Sequence, residues 1–447
     1  MTAEQGTSCS TALSYDEAPW CGFHLRLAVA STGGAFADGF GLGIIGIALS
    51  LAAPRLALDA VQLGALGGAS LAGLFLGALL TGPLADRFGR RRIFAANMLA
   101  LAVISALQFL VTSSAQLLLL RLAVGILLGT DYVVSKALLM EFVPRGLRGR
   151  TLGLLSVAWA GGYACAYAAG FALTAAGPDA WRWMLLSSAA PCLLILPLRL
   201  GVPESPSWLA EHGQLPRAQA VVRARLGSGF SVPVPPARRA GRRNRWALLF
   251  SAPWRVRTLI GCVFFACQVI PYFAVGTFVA QLMSALQIRS SYAGGLIYNL
   301  ALVGGAIAGV LLVDRISRRS FLIGSFAIAA LALLLLALTS SAGLMIFLFA
   351  VFAGVLSAAS NLVYVYLPEL FPTDLRASGI GLAIAASRLG SAVSTFLLPI
   401  IVADYGAHAA LNACLGVLVV GTIICYGWAP ETRNVSLVSL DRMLQQG

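Results

Sequence analysis

The sequence predicts an all-α membrane protein of twelve transmembrane helices in two pseudo-symmetric six-helix bundles. Three observations carry that expectation. Of 447 residues, 59% are hydrophobic and only 11% charged, with a mean hydropathy of +0.86; a water-soluble domain is roughly a quarter charged. The apolar residues fall into runs of about 20, the length that crosses a bilayer. Finally, two unrelated motifs recur at one offset. The stretch Gly82-Pro83-Leu84-Ala85-Asp86-Arg87-Phe88-Gly89-Arg90-Arg91-Arg92 has a fainter copy in Gly309-Val310-Leu311-Leu312-Val313-Asp314-Arg315-Ile316-Ser317-Arg318-Arg319, with Asp86 and Asp314 separated by 228 positions (314 − 86). Glu141-x-x-Pro144-x-x-Leu147-Arg148 returns as Glu369-x-x-Pro372-x-x-Leu375-Arg376, again 228 apart (369 − 141). A shared offset for two motifs indicates a duplicated, two-halved chain.

In chain order, a polar tail over residues 1–24 precedes a first bundle over 25–202. Its runs are about Leu25–Leu51, Val61–Gly82, Ile93–Val111, Leu117–Phe142, Leu152–Ala175 and Trp183–Leu200. Residues 203–257 read as a basic surface linker, rich in proline and arginine and helical near Leu215 to Leu226. A second bundle over 258–429 holds runs at about Thr258–Leu286, Ala293–Val313, Phe321–Ala337, Leu344–Leu367, Ala377–Val402 and Ala409–Trp428, and 430–447 form a tail.

The net charge of +14 is not a nucleic-acid signal, because the arginines sit in short loops between apolar runs; anionic lipid headgroups are the expected partner. Loops holding Arg87, Arg90, Arg91, Arg92, Arg145, Arg148, Arg150, Arg315, Arg318, Arg319 and Arg376 alternate with loops offering only Arg55, Arg182 and Arg289. That bias puts the linker and both termini in the cytoplasm of a bacterial inner membrane. Asn434-Val435-Ser436 is then a chance sequon. The eight cysteines show neither a CxxC nor a His-flanked metal spacing, so disulfides, metal and cofactor are not expected. No signal peptide is evident, since Glu4, Asp16 and Glu17 replace a basic leader.

Simple topogenic charge explains the arginines of the first motif, but not an acid fixed between Gly82 and Arg87 and repeated at Asp314. Opposite charges at a membrane rim can latch helices in one conformation and release them in another. The expected latch comprises Asp86, Arg87, Arg90 and Arg91 with Asp314, Arg315 and Arg318, completed by Glu141–Arg148 and Glu369–Arg376. Glycines of the second and eighth runs allow the close, sliding helix contacts that a rocking transporter needs, or plain packing.

Gly82-x-Leu84-x-Asp86-Arg87-x-Gly89-Arg90-Arg91 resembles the signature loop of the major facilitator superfamily, and Arg121-x-x-x-Gly125-x-x-x-Gly129 its fourth-helix motif. Glu141-x-x-Pro144-x-x-x-Arg148-Gly149, Pro203-Glu204-Ser205-Pro206-x-Trp208-Leu209, Pro368-Glu369-Leu370-Phe371-Pro372-Thr373 and Pro430-Glu431-Thr432 resemble its sugar-porter and metabolite–proton symporter branches, including the aromatic-acid symporters. The resemblance implies a central cavity and alternating access. Departures bear on substrate. The first-helix acid of sugar porters falls on Gly41 here. Asp38-Gly39-Phe40-Gly41 keeps only the first acid of the aromatic-acid symporters' pattern. The seventh-helix Gln-Gln pair of sugar porters reduces to Gln268.

A charge at a span's centre costs at least ~2.5–3.5 kcal/mol and needs a partner or a wet cavity. The set is Asp38, Arg121, Asp131, Lys136 and Arg388. Asp38 is the expected proton carrier, with Asp131 as a second candidate. The resemblance pairs Asp38 with Arg121, for coupling or as a static ion pair. Asp131 and Lys136 stand about 140° apart around one helix, so one faces the cavity while the other meets a neighbour or, for Lys136, snorkels to the rim. Arg388 lies mid-span with no acid in the second-half spans, and its guanidinium suits either a substrate carboxylate or an acid across the cavity. Trp159, Tyr163, Gln268, Tyr272, Asn299, Asn361 and Tyr364 are candidate lining residues, with Gln268 and Tyr272 on one face beside Pro271. The expected function is proton-coupled uptake of a small organic anion by a monomer. An exporter with the same fold and a non-transporting membrane sensor or enzyme are the rivals; scattered His24, His212 and His408 give an enzyme no catalytic set.

Overall fold

The computed structural model describes residues 13–232, 245–313, 315–371 and 373–432. Twelve helices are long and apolar enough to cross a membrane. In the first half these are α1 (Gly22–Arg55), α2 (Ala60–Phe88), α3 (Arg90–Leu110), α4 (Ser114–Phe142), α5 (Arg145–Ala176) and α6 (Ala180–Arg199). In the second they are α7 (Arg255–Thr277), α8 (Ser291–Leu312), α9 (Arg318–Leu338), α10 (Ala342–Ala359), α11 (Ser378–Tyr405) and α12 (Ala407–Trp428). Because the count is even in each half, the chain ends and the linker share one end of the molecule, called here the tail end.

Local chemistry sets the helix ends. Asp59 opens α2 by accepting from the Gln62 amide at 2.7 Å, and Ser317 caps α9 through the Ser320 amide at 3.2 Å, each satisfying an orphan amide of a first turn. Between α2 and α3 a single residue, Gly89, makes the turn at φ +87, a backbone region closed to most side chains. Proline 271 sits within α7, which breaks at Phe278 and resumes over Val279–Ala285. Exposed leucines such as Leu119, Leu194 and Leu338 cover the outside, as expected where lipid is the solvent.

The duplication is visible in packing as well as in motifs. Helices α2 and α4 approach so closely that a Cβ on Gly77 would strike the Ile126 carbonyl. Their counterparts α8 and α10 meet in the same way at Gly305 and the Gly354 carbonyl, and both residues of that contact lie 228 positions beyond their mates. Small residues permit such backbone approach where lipid offers no hydrophobic drive for helices to associate.

The two halves touch at the end opposite the tails. Gln281 donates to the Gly46 carbonyl at 3.0 Å, and Ser50 and Tyr292 share a hydrogen bond at 3.1 Å. Gly64 and Gly67 of α2 lie against Phe396 of α11 and Phe278. From that seal a central cavity extends toward the tail end, about 950 Å³ of empty space including its mouth.

At the tail end the described part of the linker is structured. Helices Pro206–Glu211 and Leu215–Leu226 match the helical stretch expected near Leu215 to Leu226. Beyond them strand Phe230–Ser231 pairs in parallel with Leu13–Ser14 of the N-terminal tail. Tyr15, Leu209, Ala218, Val222 and Val232 form a small apolar cluster there, and burial pushes the Tyr15 phenol above its ordinary pKa by disfavouring the phenolate.

Candidate functional site

Seven membrane-spanning helices, four from the first half and three from the second, supply the cavity wall, α2 through Leu74. Asp38 comes from α1, Asp131, Tyr132 and Lys136 from α4, and Trp159 from α5; Gln268, Tyr272 and Phe273 come from α7, Ser357 from α10 and Arg388 from α11. Tyr364, just beyond α10, joins them. Of the residues expected to line the site, Trp159, Gln268, Tyr272, Tyr364, Lys136 and Arg388 are therefore brought together.

Two cations converge from opposite halves. The Lys136 ammonium lies 3.2 Å from the centre of the Tyr132 ring and 4.6 Å from that of Tyr364. Lys136 and Tyr364 are themselves 228 positions apart, so duplicated positions meet near the pseudo-twofold axis. The Arg388 guanidinium stands 5.6 Å from the same Tyr132 ring and 5.7 Å from Phe265 and Phe273. Aromatic faces attract cations but leave a net positive charge. Among the described residues no carboxylate comes within ion-pair distance of either cation, and the Arg388 Nε is buried without a hydrogen-bond partner.

Asp38 is 6% exposed, and its Oδ1 is buried without a partner. The expected pairing with Arg121 is not formed. Arg121 lies outside the cavity wall and donates instead to the Gly41 carbonyl at 3.1 Å, a turn farther along α1. Asp131 finds a partner that the sequence reading missed, Arg199 at the end of α6. Arg199 pairs with Asp131 Oδ1 and reaches Oδ2 at 3.0 Å, in a bidentate fork. Ser135 donates to Oδ2 at 2.9 Å; the Phe94 and Ala30 carbonyls take further guanidinium protons. The pair thus ties together α1, α3, α4 and α6. A Cβ on Gly34 of α1 would run into this guanidinium.

Three expected lining residues face elsewhere. Asn299 donates to the Gly295 carbonyl one turn back at 2.7 Å, and Asn361 joins the end of α10 to α8 through the Ala306 carbonyl at 3.2 Å. Tyr163 is buried against Gly43 of α1. Asn361 and Tyr163 are taken by helix–helix packing, Asn299 by its own helix. Tyr132, Phe265 and Phe273 were missed as lining residues, though the four-residue spacing of Tyr132 and Lys136 on one helix face was a usable signal.

The rim motifs at the tail end do assemble, with different partners from those expected. Arg90 pairs with Glu141, and Arg318 with Glu369 at 3.6 Å, so the two pairs repeat at the same offset of 228. Arg148 turns away from Glu141 to Asp16 at 2.8 Å, and Arg376 donates to the Pro368 carbonyl at 3.2 Å. The reason is reach: the α2–α3 turn presents Arg90 to the end of α4, while the N-terminal tail lies over Arg148. Asp86 and Arg87 are exposed. The Arg315 amide donates to the Leu312 carbonyl at 2.9 Å, and Asp314 lies outside the described residues.

Glu204 adds a second layer. Its carboxylate accepts from the Arg90 and Arg91 amides at 2.9 and 3.2 Å, capping α3, and a Cβ on Gly89 would collide with it. Glu431 caps α9 likewise through the Arg318 and Arg319 amides, each at 3.2 Å. A carboxylate on these orphan amides also meets the positive end of the helix dipole. Replacing Glu204 by alanine should therefore cost about 1–2 kcal/mol, read as a lower unfolding midpoint of the purified protein.

A sequence profile of the sugar (and other) transporter family matches residues 27–444. The chain is 40% identical over 429 residues to the inner membrane metabolite transport protein YgcS of Escherichia coli, covering 95% of each. It is 36% identical to the putative metabolite transport protein YaaU of the same organism, over 97% of this chain and 98% of that one. The xylose transporter XylE of E. coli, in a partially occluded inward-open conformation, superposes with a TM-score of 0.79 at 19% identity, over 93% of this chain and all of the other. With its duplicated rim motifs, twelve helices and central cavity, this chain belongs to the sugar (and other) transporter family of the major facilitator superfamily, and is a membrane transporter rather than an enzyme.

Proposed function

We propose that this protein is a proton-coupled symporter that takes up a small organic anion, a carboxylate, by alternating access. The observation that carries this reading is the unneutralised pair of cations, Lys136 and Arg388, facing one cavity from opposite halves. The cavity wall carries Asp38, Asp131, Lys136 and Arg388; with Asp131 matched by Arg199, a positive surplus remains that an anionic guest offsets. A guanidinium binds a carboxylate through a two-pronged fork and an ammonium adds a point charge. Contact with one guest from both halves also couples binding to their relative movement, since a ligand shifts a conformational equilibrium only by its differential affinity.

In the cycle Asp38 takes a proton from outside, the anion docks on Arg388 and Lys136, and the rim pairs Arg90–Glu141 and Arg318–Glu369 rearrange as the halves rock. Both ligands leave toward the tail end, which the arginine bias places in the cytoplasm of a bacterial inner membrane. The protein in liposomes should accumulate organic acids when an inward proton gradient is imposed. Asp38→Asn should abolish that accumulation while retaining exchange of internal for external substrate. Gradient-driven accumulation by Asp38→Asn would remove Asp38 from the coupling step. Movement of neutral sugars in preference to carboxylates would overturn the anion assignment.

A further inference from the structure

Arg121 poses a separate electrostatic problem. The residue is fully buried, with no exposed surface. Its guanidinium makes one hydrogen bond, to the Gly41 carbonyl at 3.1 Å, while Nε and Nη1 are buried without partners. No carboxylate among the described residues pairs with it, and the titratable side chain in electrostatic reach is the neutral phenol of Tyr163. A buried charge stripped of its partner is among the most destabilising arrangements in a protein, and hydrocarbon surroundings offer it no water.

The neighbouring Gly41 has room for a side chain. A Cβ added to Gly41 would meet nothing nearer than the Leu128 Cδ2 at 3.9 Å, whereas Gly39 and Gly43 on the same helix are pressed against the backbone of α5. Gly41, whose carbonyl Arg121 grips, thus leaves room for an added side chain on the helix that meets the guanidinium. Leu128 also lines the central cavity.

We propose that Arg121 binds a small inorganic anion, with chloride as the abundant candidate, in a site distinct from the substrate cavity. The ion supplies the negative charge that no side chain provides and accepts from the Nε and Nη1 donors. The organic-anion reading is independent of this one, because Arg121 is not part of the cavity wall.

Two measurements test it. Equilibrium binding of radiolabelled chloride to the purified wild-type protein should be saturable and approach one ion per chain. Absence of saturable binding overturns the proposal however any variant behaves. Replacing chloride by gluconate at constant ionic strength should lower the unfolding midpoint of the wild type by roughly 2 °C or more. Gly41→Asp adds a carboxylate on the helix that meets the Arg121 guanidinium and should make the midpoint indifferent to chloride, with bound radiolabel lost. Gly41→Asn, similar in size but uncharged, should not mimic it. Equal chloride dependence in wild type and Gly41→Asp would place the ion elsewhere and refute the site.

Discussion

Replacing Arg388 by leucine is expected to lower carboxylate affinity by about 100-fold or more, read as loss of substrate-induced thermal stabilisation and of uptake in liposomes. Truncating one side of a buried, hydrogen-bonded charge pair costs about 2–5 kcal/mol, and each 1.4 kcal/mol is tenfold in affinity. The free carrier should fold normally, or slightly more stably, because the variant removes an unneutralised cation beside Phe265 and Phe273. Arg388→Lys should recover only part of the affinity, since an ammonium cannot offer the planar fork. Undiminished carboxylate uptake by Arg388→Leu would refute the substrate assignment while leaving the fold untouched.

Arg199→Leu is the substitution with the largest expected effect on stability. It strands Asp131 among α1, α3 and α4, where that carboxylate now accepts the guanidinium fork and the Ser135 hydroxyl. Breaking a buried pair on one side costs about 3–5 kcal/mol, enough to deplete the folded protein recovered from membranes. The double variant Asp131→Asn with Arg199→Leu should recover much of the loss, because neutralising both sides removes the uncompensated charge. Fluorescence-detected size exclusion of the single and double variants reads this directly. If the single variants are as stable as the double, the pair is not coupled.

The two arginines show how far the sequence reaches. Arg388 stands out because it interrupts the apolar run of α11 near its middle with no acid at helical spacing, so its isolation is legible from composition alone. Arg199 closes the run of α6, where a basic residue reads as an ordinary rim charge, and its partner is 68 positions away on α4. Likewise Arg90, Glu141, Arg318 and Glu369 were all identified by their repeat, but the pairing within each half was assigned to the wrong arginines. Glu204 and Glu431 repeat at 227 rather than 228 positions, and that single-residue slip hid two equivalent helix caps.

By itself the sequence determined the membrane class, the number and order of the spans, the duplication and, Arg199 apart, which charges lie inside the apolar runs. Those features follow from hydropathy and from one repeat, both of which are properties of the chain read along its length. The tertiary structure alone decided which charges inside the spans are matched: Asp131 with Arg199, Arg121 with the Gly41 carbonyl, and Lys136 and Arg388 with no carboxylate at ion-pair distance among the described residues. Helical periodicity fixes where a side chain points around its own axis, whereas charge pairing depends on which other helix lies opposite and at what depth, and that is set by backbone approach at residues such as Gly39, Gly77 and Gly305.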